Sequence, residues 1–536
     1  MPSLSKSLAL AAALTGLSAL AAAPPDDDQI DRYKKYLKSS EASVRADAAL
    51  GLGAVDSAAA VEILVGALKD RAEEVRDSAV QALSGMKSDE AIAAMVLALS
   101  SGSDPGVRAG IAVALGRSAK LESLDALVAV SNARTTEERR AAAEALGSFR
   151  LPDASEALAR LARDTDTSVR ISAVKSLGRS GVAAGAAPVV TAIADPVWQV
   201  RSAAFEAAGK IRDKSLIAPL IEQMEREEGR LLADARGALE KIVEMDFGPK
   251  ASEWKAWWDR SGAAFEVPVT KKSFGAPVKA SGTGNEKKYS GPGVHYYGIQ
   301  TPSKHMIFLL DVSKSMAERT LLPGADESGN KPGSTPRTAA DGSAVPTLSG
   351  KTGRAYTSPV KIEIAKEELV YTLAELDDSI WFDIVLFETK IERWKGELVQ
   401  ATSGNRDAAI AFVKKQKARE AVPVRRRTPG GGTRTVMTDD GRTNLWGAIE
   451  AAFGATPTQP DDKYYRSKLD TIFLLSDGLP TDGEITSTDE ILERVRQVNG
   501  FRNIVIHTIQ MGKITQSDFL KNLAEENRGT WVNLTP

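Results

Sequence analysis

The sequence contains no cysteine, and only three of its 536 residues are histidine. The absence of cysteine excludes disulfides, zinc–thiolate sites, thiol nucleophiles and cysteine-linked lipid anchors. With so few histidines, a histidine-rich metal site is also disfavoured. The formal net charge of −2 argues against a global basic field that would attract nucleic acid or a membrane surface.

Long apolar runs are scarce as well. After residue 23, no apolar run reaches the ~20 residues that are needed to span a bilayer. Residues 1–23 combine Lys6 with an Ala-rich apolar stretch and small-residue cleavage sites, which predicts a secretory signal peptide, the alternative being an uncleaved membrane anchor. We therefore expect an exported protein, periplasmic or extracellular, and the missing cysteines favour a bacterial envelope.

A repeated pattern occupies residues 29–246. A Val-Arg pair recurs at intervals of 31, 32, 62 and 31 residues, at Val44-Arg45, Val75-Arg76, Val107-Arg108, Val169-Arg170 and Val200-Arg201. Glu138-Arg139 lies in the middle of the double interval, and each copy continues into Ala and Leu at helical spacing. A fixed period with two short helices per unit predicts an α-solenoid. The units resemble short HEAT-like repeats, and this resemblance implies that each Arg pairs with an Asp of a neighbouring unit.

Residues 247–302 connect the repeats to the rest of the chain. Trp254, Trp257 and Trp258 share one face of a predicted helix, which we interpret as the closing helix of the solenoid and not as a binding platform. Gly, Lys, Ser and Pro dominate residues 271–292, a composition that is typical of a linker. Residues 294–299 are expected to add a lead-in strand.

Residues 303–536 alternate between strand and helix patterns. Such alternation predicts an α/β, doubly wound, mostly parallel sheet with helices on both faces. The chain is therefore expected to be multidomain, with an α-solenoid followed by this sheet. Ligands of such sheets bind at the carboxyl ends of the strands.

Five side chains with hard oxygen atoms are expected at that edge. Asp311, Ser313 and Ser315 follow the apolar strand 305–311, and Asp477 follows the apolar strand 471–475. Thr443 precedes a predicted helix, which favours it over Thr433, and Asp482 is a weaker alternative to Asp477 because it lies beyond a proline. Clustered hydroxyl and carboxylate oxygens suit Mg²⁺, Mn²⁺ or Ca²⁺.

These five residues, in this order, resemble the metal-ion-dependent adhesion site (MIDAS) of von Willebrand factor type A (vWA) domains. The resemblance implies a Rossmann-like fold for residues 303–536 and a bound Mg²⁺, with Mn²⁺ or Ca²⁺ as alternatives. It also implies that the two Ser and the Thr contact the metal directly, that one or both Asp act through water, and that a partner supplies an Asp or Glu to the metal.

The sequence departs from this family in two insertions, at about 318–360 and 418–440. The first is rich in Gly, Ser, Thr and Pro, and the second contains Arg425, Arg426 and Arg427. Both are expected to emerge near the metal edge, where they would cover the site or influence the choice of partner. Disorder is the alternative for most of residues 322–356, and solvation for the arginine triplet.

The leading hypothesis is a metal-dependent adhesion or scaffold protein that holds one protein partner on the metal and a second on the solenoid. The alternatives are a structural envelope protein whose metal only stabilises the domain, and an accessory subunit of a larger complex. We expect no enzyme, because the chain shows no Ser-His-Asp arrangement and no phosphate-binding loop. Nucleic acid and, after signal cleavage, a membrane span are not expected.

Overall fold

A computed structural model of the chain describes residues 26–268, 293–320, 358–419, 441–454, 467–512 and 517–534. It also describes a hairpin within 423–437 and four two-residue strands within 337–356. The predicted signal peptide and linker lie outside these ranges. None of the described helices is long and apolar enough to cross a membrane. The chain divides into two compact units, one ending at Gly185 and the other beginning at Ala186, and the predicted domain limits near 246 and 303 stay predictions.

The first unit consists of paired helices. They are α1 Asp26–Tyr36, α2 Ala42–Leu52, α3 Ala58–Ala67, α4 Glu73–Gly85, α5 Asp89–Ser101, α6 Pro105–Ser118, α7 Leu124–Val130, α8 Thr136–Leu146, α9 Pro152–Leu161 and α10 Thr167–Ser180. The even-numbered helices stack on one another, and so do the odd-numbered ones. Small residues permit this close stacking, since a Cβ on Gly116 of α6 would lie 2.4 Å from the Cα of Ala145 in α8.

Several arginines of the repeats form ion pairs with a residue of the following repeat. Arg45 lies 2.7 Å from Asp70, and Arg139 lies 2.7 Å from Asp164. For Arg108, a glutamate takes the place of the expected aspartate: the Nε of Arg108 lies 3.1 Å from Glu138. Two other aspartates of the repeats cap helices. The side chains of Asp104 and Asp166 accept backbone N–H groups at the starts of α6 and α10.

Replacement of Arg139 by Met is expected to lower the free energy of unfolding of the solenoid by about 2–4 kcal/mol. Burial raises the pKa of Asp164, but the hydrogen bonds from Arg139 and the backbone N–H of Asp166, together with the charge of Arg139, outweigh that effect and hold the pKa below its ordinary value. Without the guanidinium, Asp164 would remain charged and largely buried. Urea denaturation measures the loss, with the exposed Arg134→Met as the matched control; equal stabilities of the two variants would contradict the assignment.

The second unit begins with more helices of the same kind. They are α11 Ala186–Ile193, α12 Trp198–Ile211, α13 Ile217–Met224, α14 Gly229–Val243 and α15 Ala251–Ser261. In α15, Trp254 and Trp257 are buried, and their rings lie 5.0 and 4.9 Å from the ring of Phe247. This aromatic cluster is part of the core of the unit, and the role of α15 as the closing helix of the solenoid stays a prediction.

A seven-stranded sheet follows. Its strands are β3 His305–Asp311, β8 Trp381–Phe387, β9 Ile391–Arg393, β10 Val399–Gln400, β13 Thr471–Ser476, β14 Val505–Gln510 and β15 Trp531–Asn533. The order is β10-β8-β3-β13-β14-β15, and β9 also pairs with β8. Only β9 and β10 run antiparallel to their neighbour. Two short strands thus pair antiparallel with β8: β10 with its first residues and β9 with its last.

Other strands form small hairpins outside this sheet. They are β1 Val294–Tyr296 with β2 Ile299–Thr301, β4 Arg337–Thr338 with β5 Ala344–Val345, β6 Leu348–Ser349 with β7 Ala355–Tyr356, and β11 Pro423–Arg427 with β12 Thr433–Met437. The arginine triplet therefore lies in a strand, where the sequence favoured a loop. The expected lead-in strand over 294–299 is a hairpin.

Helices cover both faces of the sheet. The helices are α16 Lys361–Glu375, α17 Ser403–Lys414, α18 Leu445–Phe453, α19 Thr488–Arg502 and α20 Phe519–Glu526. The first two, with the β1–β2 hairpin, share one apolar core with the sheet, and the last three share the other. Strands β3, β8 and β13 are almost entirely buried because both faces are covered, which explains their continuous apolar runs.

The amino-terminal edge of the sheet contacts the helices of the same unit. Arg230 of α14 donates to the carbonyl of Asp470 at 2.8 Å, next to the start of β13. The indole of Trp198 donates to the carbonyl of Ser467 at 2.8 Å, and the amide of Asn503 donates to the carbonyl of Gln199 at 2.9 Å. The opposite edge carries the predicted site.

Acid is expected to destabilise the second unit through His507. Burial and the positive charge of Arg230 lower its pKa to about 3, so it folds in the neutral form, stacked on Phe473 and accepting the backbone N–H of Thr530. The contribution of neutral His507 to the free energy of unfolding is complete above the pKa of about 6.5 that histidine has in the unfolded chain. This contribution decreases as the pH falls towards 3, and about 2 kcal/mol is lost at pH 5. Urea titrations at pH 7.5 and 5 test this; His507→Gln should show a smaller difference, and an unchanged difference contradicts it.

Candidate metal centre

Three neighbouring strands deliver polar residues to the carboxyl edge of the sheet. Strands β3 and β13 are paired in parallel, with Leu310 opposite Leu475, so Asp311 and Ser476 come out side by side. On the other side, Asp311 pairs with Phe387, the last residue of β8. The parallel register, set by the apolar runs, therefore brings the ends of distant segments together.

Asp311 lies at the bottom of this site and is fully buried. One carboxylate oxygen accepts the backbone N–H of Ser313 at 2.8 Å, and the other accepts the hydroxyl of Ser476 at 2.6 Å. Burial, reinforced by the negative charge of Asp477, raises the pKa of Asp311 to about 6. A buried carboxylate with this pKa is a place where a cation would be strongly favoured.

The two serine hydroxyls meet above Asp311. The Oγ atoms of Ser313 and Ser315 are 3.1 Å apart, on the short 3₁₀ turn Lys314–Ala317. Mg²⁺ binds oxygen at roughly 2.0–2.1 Å, which puts neighbouring ligands of an octahedron about 2.9 Å apart. Ser315 donates its proton to Asp477 at 2.7 Å, so Ser313 donates to Ser315, and one lone pair of the Ser315 hydroxyl remains available to a cation. The donor set and its spacing thus fit a small divalent metal.

Thr443 is held next to the loop that follows β13. It is buried, its backbone N–H donates to the hydroxyl of Thr481 at 2.9 Å, and its carbonyl accepts the backbone N–H of Thr481 at 2.9 Å. A Cβ on Gly478 would lie 3.9 Å from the Thr443 hydroxyl. Asn444 then caps α18 through the N–H of Gly447. The helix start that favoured Thr443 on sequence is present.

The two alternative residues, Thr433 and Asp482, take other positions in the fold: Thr433 lies in the insertion hairpin and Asp482 lies beside Thr443. Thr433 is the first residue of β12, paired with Arg427 in the insertion hairpin. Asp482 directs its backbone N–H to the carbonyl of Thr443 at 3.2 Å. The backbone of Asp482 therefore supports the Thr443 loop. Within the described part of the chain, no hydrogen bond joins the Asp482 side chain to Asp311, Ser313 or Ser315.

The sequence interpretation missed Lys361, the first residue of α16. Its ammonium donates to Asp477 at 2.7 Å, to Glu318 at 2.8 Å and to the carbonyl of Ser315 at 3.3 Å. Burial lowers the pKa of Lys361, but its bonds to Asp477 and Glu318 outweigh this effect and hold the pKa above its ordinary value. The positive charge of Lys361 offsets the negative charge of Asp477 and holds the Asp477 carboxylate in place. No motif position identified this lysine, because the insertion separates it from Ser315.

Glu388, directly after β8, was also missed. It is buried, and one carboxylate oxygen accepts the backbone N–H groups of Gly441 at 2.8 Å and Thr389 at 2.7 Å. Its backbone carbonyl accepts the N–H of Asn444 at 3.0 Å. Glu388 is therefore a positioning residue for the Thr443 loop. An acidic residue at a strand end on the ligand-binding edge was the signal that could have identified it.

Acidic and imidazole groups alone do not form this site. Within the ranges that the structure describes, no three His, Asp or Glu side chains are grouped closely enough to hold a metal ion. A metal at the carboxyl edge would therefore depend on the hydroxyls of Ser313, Ser315 and Thr443 together with Asp311 and Asp477. Hydroxyl and carboxylate donors select hard cations.

Two family models match this chain. The model for HEAT repeats matches residues 30–116, 92–168, 124–206 and 156–240. The model for the von Willebrand factor type A domain matches residues 356–427 and 432–532, which include Thr443 and Asp477 and begin after Ser315. The chain therefore carries HEAT repeats over 30–240 and a vWA domain over 356–532, and the predicted fold class is confirmed.

Curated relatives resemble the vWA part of the chain. Human inter-alpha-trypsin inhibitor heavy chain H1 is 31% identical over 170 residues, covering 32% of this chain and 16% of its own. Human heavy chain H3 is 23% identical over 256 residues, covering 47% and 22%. The chain thus spans less than a quarter of the length of either relative. Among solved structures, a von Willebrand factor type A protein from Catenulispora acidiphila is 15% identical with a TM-score of 0.27, covering 44% of this chain and 40% of that one.

Proposed function

We propose that this protein binds a protein partner through a divalent metal, Mg²⁺ in the first place, held by Asp311, Ser313, Ser315, Thr443 and Asp477. The observation that supports this most directly is the hydroxyl pair: Ser313 and Ser315 are 3.1 Å apart, and Ser315 donates to Asp477. Because the Ser315 hydroxyl donates its proton to a carboxylate, its oxygen keeps a lone pair for a hard cation.

The five residues would have different roles in such a site. Ser313, Ser315 and Thr443 offer neutral oxygens, while Asp311 and Asp477 supply charge and accept hydrogen bonds. When bound, Mg²⁺ supplies an electron-poor position for an anionic oxygen. Lys361 reduces the negative charge around it, which favours an incoming carboxylate, such as an Asp or Glu of a partner.

The remaining parts of the proposal follow from the domain content. Both HEAT repeats and vWA domains suggest protein interactions, so we assign the solenoid a second protein partner. The protein would act as an exported adhesion or scaffold protein of a bacterial envelope, with the N-terminal segment as its signal, and not as an enzyme.

The low exposure of the site favours a second candidate function, in which the metal only stabilises the domain. Asp311, Ser313 and Thr443 are buried, and Ser315 is half-buried. In that case the metal would raise the melting temperature without creating a binding position for a carboxylate.

Two peptides that differ in one residue distinguish the candidates. The probes are a labelled Gly/Ser peptide with one central Glu and the same peptide with Gln, measured by fluorescence anisotropy with Mg²⁺ or with excess chelator; calorimetry measures Mg²⁺ binding itself. We expect Mg²⁺ to bind and only the Glu peptide to bind, in Mg²⁺ alone. Equal behaviour of both peptides with a Mg²⁺-dependent melting temperature supports the stabilising metal, and no response to Mg²⁺ overturns both.

A further inference from the structure

The candidate metal site already contains a positive charge that belongs to the chain itself. The ammonium of Lys361 donates to one carboxylate oxygen of Asp477 at 2.7 Å, and the other oxygen accepts the hydroxyl of Ser315 at 2.7 Å. The Asp477 side chain has no exposed surface, and Lys361 is 7% exposed. Both oxygens of this buried carboxylate therefore have a donor from the protein.

The backbone fixes Lys361 in this position. Its N–H donates to the carbonyl of Glu318 at 3.0 Å, and Arg319 pairs with Val360 in an antiparallel bridge, so the start of α16 is joined to the loop that carries the two serines. Along its length the side chain passes close to Gly512, where a Cβ would lie 3.3 Å from the Cε of Lys361. The ammonium is thus directed at Asp477 by the fold around it.

A second carboxylate shares the same ammonium. The Nζ of Lys361 lies 2.8 Å from Glu318, whose side chain is 67% exposed, and 3.3 Å from the carbonyl oxygen of Ser315. The two acidic partners of Lys361 therefore differ in exposure, since Asp477 is buried and Glu318 is largely solvated. If a metal took over Asp477, Lys361 would still have Glu318 as a partner for its charge.

The charge of Lys361 has two opposite effects on this site. A buried carboxylate is unfavourable without a cation beside it, so Lys361 stabilises Asp477 in the metal-free protein. The same ammonium repels a divalent cation nearby, and it competes with that cation for the oxygens of Asp477. The lysine therefore favours the folded site and opposes the binding of Mg²⁺.

We propose that Lys361 is a built-in counter-cation: it takes the place of the metal at Asp477 in the metal-free protein, and it lowers the affinity for Mg²⁺ by competing for that carboxylate. Glu318 receives the ammonium when Mg²⁺ binds. The inference rests on the proposed function of the metal site and adds its regulation. Partner binding would then follow the concentration of Mg²⁺, because the empty site remains folded and the metal is not held permanently.

Lys361→Met in the full-length protein tests this role. We expect its Mg²⁺ affinity, measured by isothermal titration calorimetry, to rise by about tenfold or more, because repulsion and competition are both removed. The midpoint of urea denaturation in chelator should decrease, because Asp477 loses its cation. A residue with only a structural role would weaken both properties. Unchanged or weaker Mg²⁺ binding by Lys361→Met overturns the proposal.

Two further variants separate the position of the charge from its presence. Lys366→Met removes the same charge from the same helix, where Lys366 pairs with Glu363 at 2.9 Å, and its Mg²⁺ affinity should stay within about threefold of the wild type. Lys361→Arg keeps the charge and should lose most of the gain in Mg²⁺ affinity that Lys361→Met shows. An equal gain in Lys366→Met would show a general effect of charge and contradict the role of Lys361.

Glu318→Gln tests the proposal even if Lys361→Met does not fold, because Glu318 is exposed. Without this partner, Lys361 has only Asp477 for its charge, so Mg²⁺ affinity should fall by about fivefold or more, against less than about twofold for Glu363→Gln. In the Lys361→Met background, Glu318→Gln should change Mg²⁺ affinity by less than about twofold, since the two residues act through one contact. Equal Mg²⁺ affinity of Glu318→Gln and the wild type overturns the exchange between the two carboxylates.

The two proposals fail in different ways. If the wild type binds Mg²⁺ and Lys361→Met binds it no more tightly, the metal function stands and the counter-cation fails. If Lys361→Met binds Mg²⁺ and the wild type does not, the counter-cation stands, and the lysine replaces the metal altogether, which overturns the metal function. If neither protein binds Mg²⁺, both proposals fail, and the contact with Asp477 is a structural ion pair.

Discussion

Asp311→Asn should reduce Mg²⁺ affinity at least 100-fold, with the fold retained. Asp311 is the fully buried carboxylate of the site, and its oxygens accept the N–H of Ser313 and the hydroxyl of Ser476. Asn has nearly the same shape but no charge, so the electrostatic attraction for a cation is lost while Ser476 can still bond to it. Isothermal titration calorimetry with Mg²⁺ at pH 8 measures the effect.

The metal-free Asn variant should also be more stable than the wild type at pH 8. Burial and Asp477 raise the folded pKa of Asp311 to about 6. A carboxyl with a raised folded pKa contributes stability below its unfolded pKa of about 3.9, and this stability is lost as pH rises to about 6. The gain from Asn at pH 8 is therefore about 3 kcal/mol at most.

Asp482→Asn is the matched control, because Asp482 lies with Asp477 on the loop that follows β13, and its backbone contacts Thr443. We expect its Mg²⁺ affinity to stay within about threefold of the wild type. If Asp482→Asn loses Mg²⁺ binding and Asp311→Asn does not, the alternative loop residue is the ligand. Binding by both variants would place the metal elsewhere.

Arg230→Met should lower the free energy of unfolding of the second unit by about 3–5 kcal/mol. Arg230 is 4% exposed, donates to the carbonyl of Asp470 at 2.8 Å and lies 5.7 Å above the ring of Trp198. Burial raises the pKa of Asp470 to about 6, and the charge of Arg230 partly counters that effect. Without Arg230, the buried Asp470 carboxylate would keep the hydroxyls of Ser303 and Thr471 but lose the positive charge that Arg230 places beside it.

Urea denaturation at pH 8 measures this loss, and the exposed Arg226→Met on the preceding turn is the control. The double variant Arg230→Met/Asp470→Asn should regain part of the stability that Arg230→Met loses, because it no longer contains the buried charge of Asp470. A loss below about 0.5 kcal/mol in Arg230→Met, comparable to that expected for exposed Arg226, would show that the contact contributes little.

Local patterns were sufficient to locate the residues of the candidate site. The run before Asp311 and the run before Asp477 are apolar throughout because helices cover both faces of the sheet. Parallel pairing of two such strands leaves their carboxyl ends at one edge, so both aspartates were expected there. Thr443 followed from the helix start after it, which the cap at Asn444 now accounts for. Their role in metal binding stays a prediction.

Lys361 and Glu388 could not be found in the same way. Their partners, Asp477 and Gly441, are 116 and 53 residues distant along the chain. Neither contact repeats with any period, and neither belongs to the pattern of oxygen ligands. The same holds for the arginine triplet, since only the pairing with Thr433–Met437 converts an apparent loop into a strand.

The sequence by itself determined the repeats, the covered parallel sheet and the edge that carries Asp311, because these depend on hydrophobic periodicity and on the order of elements. The tertiary structure alone decided which charges meet. Arg230 reaches the backbone carbonyl of Asp470 across 240 residues and places its charge beside that buried carboxylate, and Lys361 forms an ion pair with Asp477. Electrostatic contacts depend on distance in space, and a sequence pattern contains that distance only where the chain folds locally.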